Sequence, residues 1–355
     1  MRQQKERENS SAIPTAGELF PDGTAIELLR DPGNPEKLTL LLCRNGILDT
    51  KCVMSHANRV YAPVSVDPIV SNALCFPTRV ASPESTKKLF MDVHDLLRRY
   101  LGQLDPCITA MVFEIFASWI SPALLSAPIL LIFAPAGSPK NLTLQLLALL
   151  CRRPLRLAGV KRGDLLRVPI SLQPTLLLDE PDLQPAMQSI LQAGSHRGWY
   201  VPSGKGVRHL FGPKIICSRK LPLGTEFEAN ALRVSLIPVS GQLPILDKKA
   251  EEKIADEFQS RFLGYLLRNF NRVQVPNFDV SGLTDPVQAL ACAFGAAVVG
   301  DEELQAKILP LLKVQDEEIR SDRASSFDSI VIEAILFLSI RADGPEFAWT
   351  VLRVR

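Results

Sequence analysis

The sequence has no CxxC pair, and its seven cysteines (Cys43, Cys52, Cys75, Cys107, Cys151, Cys217 and Cys292) lie far apart. The spacing argues against a thiolate zinc site, and a sparse, odd set argues against the disulfide framework of a small secreted domain. Most of them sit beside apolar residues, which suits reduced core thiols in a cytoplasmic protein. An excess of charge of one sign is also lacking. The net charge is +2 over 355 residues, so any attraction to nucleic acid or membrane has to be local. There is no internal repeat and no apolar leader. The opening "MRQQKERENSS" is polar, which predicts a disordered tail over residues 1–16 and no signal peptide.

Uninterrupted hydrophobic runs are scarce too. No charged residue falls between Glu114 and Lys140, a stretch long enough to span a bilayer. Pro122, Pro128 and Pro135 break it. It therefore reads as a helix end, a loop and a buried strand, with no membrane partner.

The length allows two or three domains. Residues 17–83 read as a small β-rich accessory domain, with "TAIELLRD", "KLTLLLCRNG" and "RVYAPVSVD" as strands. It carries no nucleophile or metal constellation. Residues 84–121 have helical periodicity, and His94 near the apolar face reads as a packed histidine. Residues 128–240 alternate strands and helices, which predicts a parallel α/β sheet. From 246 to 355 the chain reads as a helical domain, for which a winged-helix form is one option. "DEELQAKILPLL" is expected as one helix there, and "ADGPEFAWTVLRVR" as a terminal hairpin.

"LLIFAPAGSPKNLTLQLLALL", Leu130–Leu150, has the outline of a phosphate-binding loop: strand, small-residue turn, lysine, helix. Lys140 can reach β and γ phosphates, and Gly137 and Ser138 offer backbone N–H groups. Two positions depart from GxxxxGK[ST]. Pro139 has no N–H and restricts Ser138. One missing bond to a charged group costs about 1.5–3 kcal/mol, a ten- to hundredfold loss of affinity in rough terms. Asn141 replaces the hydroxyl that would ligate Mg²⁺, and Thr143, about 200° further round the helix, cannot substitute. The same stretch also fits a plain strand–turn–helix with one exposed lysine.

Downstream, "TLLLDEPDL" ends a buried strand in Asp179-Glu180. In a P-loop ATPase the first acid holds Mg²⁺ and the second polarises the attacking water. The alternative is a strand followed by an acidic cap. "WYVPSGKGVRHLF" reads as a hairpin with Lys205 at its tip and Arg208 and His209 beside it. That suits a phosphate backbone, or equally a solvated turn. Ser218 ends the "GPKIICS" strand as a candidate γ-phosphate sensor. Arg233 starts the last strand, as a finger toward a neighbouring subunit or as an ion pair with Glu228.

From about Leu89 to Val239 the chain resembles the helicase-like P-loop ATPases of phages, plasmids and other mobile elements, relatives of superfamily-three and primase-associated helicases within the AAA+ group. The resemblance rests on "PTLLLDEPDL", "AMQSILQAGSHRGWYVP", "FGPKIICSRKLP", "ANALRVSLIPV" and the "LLALLCRRPL" helix, in that family's order. It implies an AAA+-like P-loop NTPase core and a site that takes ATP and Mg²⁺. Within that site Lys140, with Gly137, Ser138, Asn141 and Ser218, would bind nucleotide. Asp179 would hold the metal, Glu180 would activate water, and Arg233 would act in trans. The resemblance further implies DNA at the Lys205 and Arg208 hairpin of a homo-oligomeric ring, with Arg197 at the subunit interface. The family's GSGKT has become GSPKN, which bears on hydrolysis more than on fold. A non-hydrolysing interaction protein is the competing reading.

Overall fold

The computed structural model describes residues 12–324 apart from 83, 205, 221–225 and 240, together with 331, 332 and 335. The N-terminal unit comprises β1 (Ile13–Thr15), β2 (Gly17–Leu19), β3 (Ala25–Asp31), β4 (Asn34–Arg44), β5 (Ile47–Lys51), β6 (Met54–His56), β7 (Arg59–Pro63) and the short helix α1 (Pro68–Ala73). β2 to β5 form an antiparallel meander, and β1, β7 and β6 a second small sheet. The tail expected over residues 1–16 therefore ends before Ile13, because β1 pairs with Tyr61–Pro63. Residues 1–11 lie outside the described residues.

Helix α2 (Thr86–Leu101) starts at Ser85, whose side chain accepts from Lys88 N, and stops at Gly102 in the left-handed conformation. His94 is buried on it, with Nε2 3.0 Å from Asp105 Oδ1. Helix α3 (Asp105–Ile120) is buried at every position from Cys107 onward. The window Asp105–Ala123 is long and apolar enough to cross a membrane, but 83% of it is buried inside the fold.

The central layer is β8 (Ile129–Phe133), α4 (Lys140–Leu150), β9 (Pro154–Ala158), α5 (Arg162–Leu165), β10 (Thr175–Asp179), α6 (Pro185–Ala193), the hairpin β11 (Val201–Ser203) and β12 (Gly206–Arg208), β13 (Lys214–Ser218), α7 (Glu226–Ala229) and β14 (Leu232–Ser235). Five strands form one all-parallel sheet in the order β14-β8-β13-β10-β9. Alternate side chains go to opposite faces, as the pleat requires. Leu130, Ile132 and Leu177 join the core made with α2, α3 and α4. Ile129, Leu131, Leu176 and Leu178 join a second core with α6 and with Ile26, Leu28 and Leu40 of the N-terminal sheet. Both faces are covered, so the strands read as unbroken apolar runs. This mixed α/β fold is compatible with a Rossmann- or P-loop-like core.

Of the C-terminal helices, α8 (Lys248–Asn269), α9 (Asp285–Ala297) and α11 (Ile308–Ala324) pack on α3, and the short α10 (Glu302–Ala306) packs on α9 and α11. Their contacts are aromatic: Phe116 meets Phe262 edge-on at 5.1 Å, and Trp119 stacks on Phe262 at 5.7 Å. The one helix expected from "DEELQAKILPLL" is two, broken at Lys307. The break puts Pro310 in the first turn of α11, where a missing N–H has no intrahelical partner to lose. The described part of residues 246–324 contains no strand, and the expected terminal hairpin falls outside the described residues.

The seven cysteines are free, and Cys43, Cys107, Cys151 and Cys217 are buried. Lys214 and Glu114 are among the ionisable residues buried in the fold. Lys214 is 1% exposed, and its Nζ donates to the carbonyls of Gly194 and Gly212, each at 2.6 Å. Gly194 has to be glycine, since a Cβ would meet Leu210 O at 2.7 Å and Lys214 Nζ at 2.9 Å. Glu114 on α3 is fully buried, and neither carboxylate oxygen has a hydrogen-bond partner among the described residues. Burial pushes its carboxyl well above the ordinary range, and the Lys214 charge only partly offsets this. Between the unfolded and folded pKa values the native state holds the extra proton. Stability therefore falls as pH rises through that window. Lys214, pushed down by burial to about 7, stays mostly charged below that pH. Glu114→Gln is thus expected to gain on wild type by up to about 1.4 kcal/mol per pH unit between pH 5 and 7. Urea unfolding at several pH values reads this out, and a pH-independent difference would refute a protonated Glu114.

Candidate functional site

The carboxyl ends of β8, β10 and β13 meet around one crevice, where open α/β sheets bind ligands. Lys140 opens α4, and Asp179 ends β10. Lys140 Nζ lies 2.8 Å from Asp179 Oδ1 and 3.1 Å from Glu180 Oε1. Ser218, at the end of β13, donates from Oγ to Glu180 Oε2 at 2.9 Å. Arg219 N–H points at the same carboxylate, 3.2 Å from Oε2 and 3.3 Å from Oε1. Glu180 has φ 47°, a left-handed conformation that costs energy for a residue with a Cβ and recurs at functional sites. Its N–H bonds Cys217 O at 2.9 Å, which locks the acidic strand to β13.

The electrostatics follow. Burial opposes charge on Lys140, but hydrogen bonds to Asp179 and Glu180 outweigh it and raise its pKa. Burial likewise opposes charge on Glu180, but Ser218, Arg219 N–H and Lys140 win and lower its pKa. Lys140 and Glu180 are therefore ionised at neutral pH, and Arg156 Nη2 lies 3.9 Å from Asp179 Oδ2 beside them. Beside it is a cavity of about 690 Å³ lined by Lys140, Glu180, Asp182, Gln184, Ser218 and Arg219, with Lys220 at its edge. Its size falls within the range of small-molecule sites.

The loop before Lys140 is closed on itself. Ser138 N–H donates to Pro135 O at 3.1 Å, and Ser138 Oγ to the same carbonyl at 2.7 Å. This is a β-turn with Gly137 at its third position, and φ 82° there needs glycine. Pro139 then adopts φ −79°, ψ 46°, and Lys140 N–H donates back to Ser138 O at 2.8 Å. That is an inverse γ-turn. The N–H groups of Ser138 and Lys140 are thus engaged within the loop, and Pro139 has none. Asn141 is exposed. Thr143 is fully buried, with Oγ1 on Pro139 O at 3.0 Å.

Lys140, Asp179, Glu180 and Ser218 thus converge, and the other candidates lie elsewhere. Arg233 on β14 pairs with Glu228 and Glu318 of its own chain, and its N–H donates to Gln315 Oε1 at 2.8 Å. Arg197, expected at a subunit interface, donates to Leu124 O at 3.0 Å and Pro122 O at 2.9 Å, and lies 4.4 Å from the centre of the Phe211 ring. It clamps the loop after α3 within this chain. The β11–β12 hairpin pairs Val201 with Arg208, and Lys205 lies outside the described residues. The hairpin springs from the amino end of the sheet. Ser126, just before β8, bridges His196, and Lys214 starts β13 just after the hairpin. Arg208 and the Lys140 cluster are therefore at opposite ends of the strands. Arg156 and Arg219 were missed in the sequence. Arg156 lies in "PLRLA", a five-residue β9 in which it is the charged residue.

No protein-family model matches the sequence, and no curated protein matches it. Among solved structures, the chain is similar to one described as the A form apo structure of the NrS-1 C-terminal region. It is 11% identical, covering 92% of this chain and 82% of that one, at a TM-score of 0.35. A second structure of that region is 12% identical over 69% of this chain and 68% of that one, at 0.32. At these scores the likeness is weak and assigns neither fold nor function.

Proposed function

We propose that the chain is a helicase-like, DNA-associated P-loop ATPase whose nucleotide site is the Lys140–Asp179–Glu180 crevice. One observation carries this reading: a helix-initiating lysine and two strand-end acids, 39 and 40 residues further along the chain, meet within 3.1 Å at the carboxyl ends of a parallel sheet. Bound Mg·ATP would exchange partners with this cluster. Lys140 would turn from the acids to the β and γ phosphates, and the metal would replace its positive charge beside Asp179. Glu180, held ionised by Ser218 and Arg219 N–H, would orient and deprotonate the attacking water, with Ser218 near the γ-phosphate. The closed loop favours a second reading, a protein without turnover that binds nucleotide as a structural or regulatory ligand. DNA at the hairpin and a homo-oligomeric assembly complete the proposal. For Arg233 to act in trans it would have to leave Glu228 and Glu318.

Titration of Mg·ATP tests the site. Lys140→Ala is expected to weaken binding at least about tenfold, the effect of one lost bond to a charged group. Equal affinity of the two proteins would sink the site. Phosphate release with and without single-stranded DNA then separates the two readings, since the second predicts none in either case.

A further inference from the structure

Residues 183–225 contain no aspartate or glutamate, but they hold six lysines and arginines and two histidines. Within this acid-free stretch the fold exposes rings. Trp199 and Tyr200 are 61% and 60% exposed, the two aromatics among the large apolar side chains left exposed in the described residues. Neighbouring Val207 on β12 is 66% exposed. The rings are braced from behind. Trp199 lies 5.4 Å from the His196 ring, and Tyr200 lies 5.4 Å from His209, which stacks on Phe211 at 5.9 Å and 14°. Arg197 covers the other part of Phe211, and its guanidinium is fixed by the carbonyls of the loop after α3. His209 is kept below its ordinary pKa by burial and by the charges of Arg197 and Lys214, so the supporting ring is a neutral stacking surface.

Two adjacent exposed rings are costly to leave in water, and an aromatic face braced by further rings is rigid. Flanked by the cations of an acid-free stretch of chain, with Glu18 of β2 lining a cavity beside Arg197, His209 and Phe211, such a face suits a ligand that is flat, apolar on its faces and negatively charged along its spine. A single-stranded nucleic acid has that chemistry. In a duplex the base faces are already stacked on one another and are not available. We infer that Trp199 and Tyr200 form a base-stacking platform at the foot of the β11–β12 hairpin, and that Arg208 supplies phosphate contact beside it. This rests on the proposed DNA association and names the form of the ligand and the groups that grip it. It also puts nucleic acid at the amino end of the sheet, a strand's length from the nucleotide crevice.

The test uses the full chain and fluorescence anisotropy of labelled oligothymidine of about 16 nucleotides, the upper end of a single-module site. The same length of oligouridine, of abasic strand and of duplex completes the set. Trp199→Ala and Tyr200→Ala are each expected to weaken oligothymidine binding about five- to hundredfold with little change in salt dependence. Trp199→Phe should retain most of the affinity. Arg208→Ala should instead lower the salt slope. Abasic strand should bind wild type as weakly as oligothymidine binds the ring variants. Oligothymidine against oligouridine reports which sugar the site takes. If wild type binds oligothymidine and abasic strand alike, or if the ring variants bind as wild type does, the platform is refuted and DNA association by charge alone survives. If wild type binds no strand, both fall. Ring variants that change only the sedimentation of the free protein would also overturn the platform, and would make this face a contact between copies.

Discussion

Glu27→Ala is expected to lower the unfolding free energy by about 3–5 kcal/mol, the measured scale for removing one partner of a buried ion pair. Glu27 sits on β3 at 3% exposure, facing Arg152 at 3% and Arg153 at 1%. Arg152 grips one carboxylate oxygen with Nη2 at 2.8 Å and Nε at 3.2 Å. Arg153 takes the other, and also donates to Ala16 O and, at 2.8 Å, to Leu172 O. Two guanidiniums therefore share one carboxylate where the N-terminal sheet meets the α/β core. Burial pushes both arginines down to about 9, so both are still charged at neutral pH, and alanine would leave two buried cations facing each other. Gly17 belongs to the same device, since a Cβ there would lie 2.8 Å from Arg153 Nη2. With typical domain stabilities of about 5–15 kcal/mol, the loss is a large share of the total. Urea unfolding measures it, with Asp49→Ala, a half-exposed strand residue paired with Lys51, as a control expected within about 0.5 kcal/mol of wild type. Replacing Glu27, Arg152 and Arg153 together by apolar residues should recover most of the loss. A single-variant effect below about 1 kcal/mol would mean that the triad does not hold the two sheets together.

That triad also marks the limit of what the sequence could tell. Strands buried on both faces were legible because their inner positions are apolar: "ILLIF", "TLLLD" and "KIICS" announce themselves. So were the capped helices, such as α2 behind Ser85. The acids at the end of "TLLLD" and the lysine after the turn were legible as chemistry, because strand ends and helix starts place side chains in known directions. What was not legible depends on pairing. β1 is three residues with no alternation, and only its partner β7 makes it a strand. β9 is five residues with Arg156 at its centre, too short for a pattern of its own. The N-terminal unit looked like a separate accessory domain because a single glutamate among apolar neighbours does not reveal two arginines 125 and 126 residues away. Arg197 resembles a subunit-interface group, and Arg233 reads as a finger toward another subunit or as a partner of Glu228. The Glu228 pair is present, whereas Glu318 and the carbonyls of Pro122 and Leu124 that engage these arginines come from the fold.

Restoring the loop, Pro139→Gly with Asn141→Thr, is expected to tighten Mg·ATP binding by roughly a hundredfold or more. The argument goes beyond the missing proline N–H. Because Pro139 closes an inverse γ-turn, it also commits Lys140 N–H to Ser138 O. Glycine would free the backbone to open that turn, so two donors rather than one become available to phosphate. Each is worth about 1.5–3 kcal/mol toward a charged acceptor, less whatever the more flexible glycine costs in ordering. Threonine at 141 returns a hydroxyl to the first turn of α4, on the exposed side where Asn141 now points to solvent and where a metal bridging to Asp179 could be met. The single variants separate the two contributions. Pro139→Gly alone should carry most of the affinity with or without metal, and Asn141→Thr alone should matter only when Mg²⁺ is present. Lys140 N–H exchange with solvent deuterium gives a readout free of nucleotide: it should quicken in Pro139→Gly if the γ-turn opens. If exchange quickens and affinity stays the same, backbone donors are not the limit. The ion pairs that hold Lys140 on Asp179 and Glu180 would then be what nucleotide has to displace.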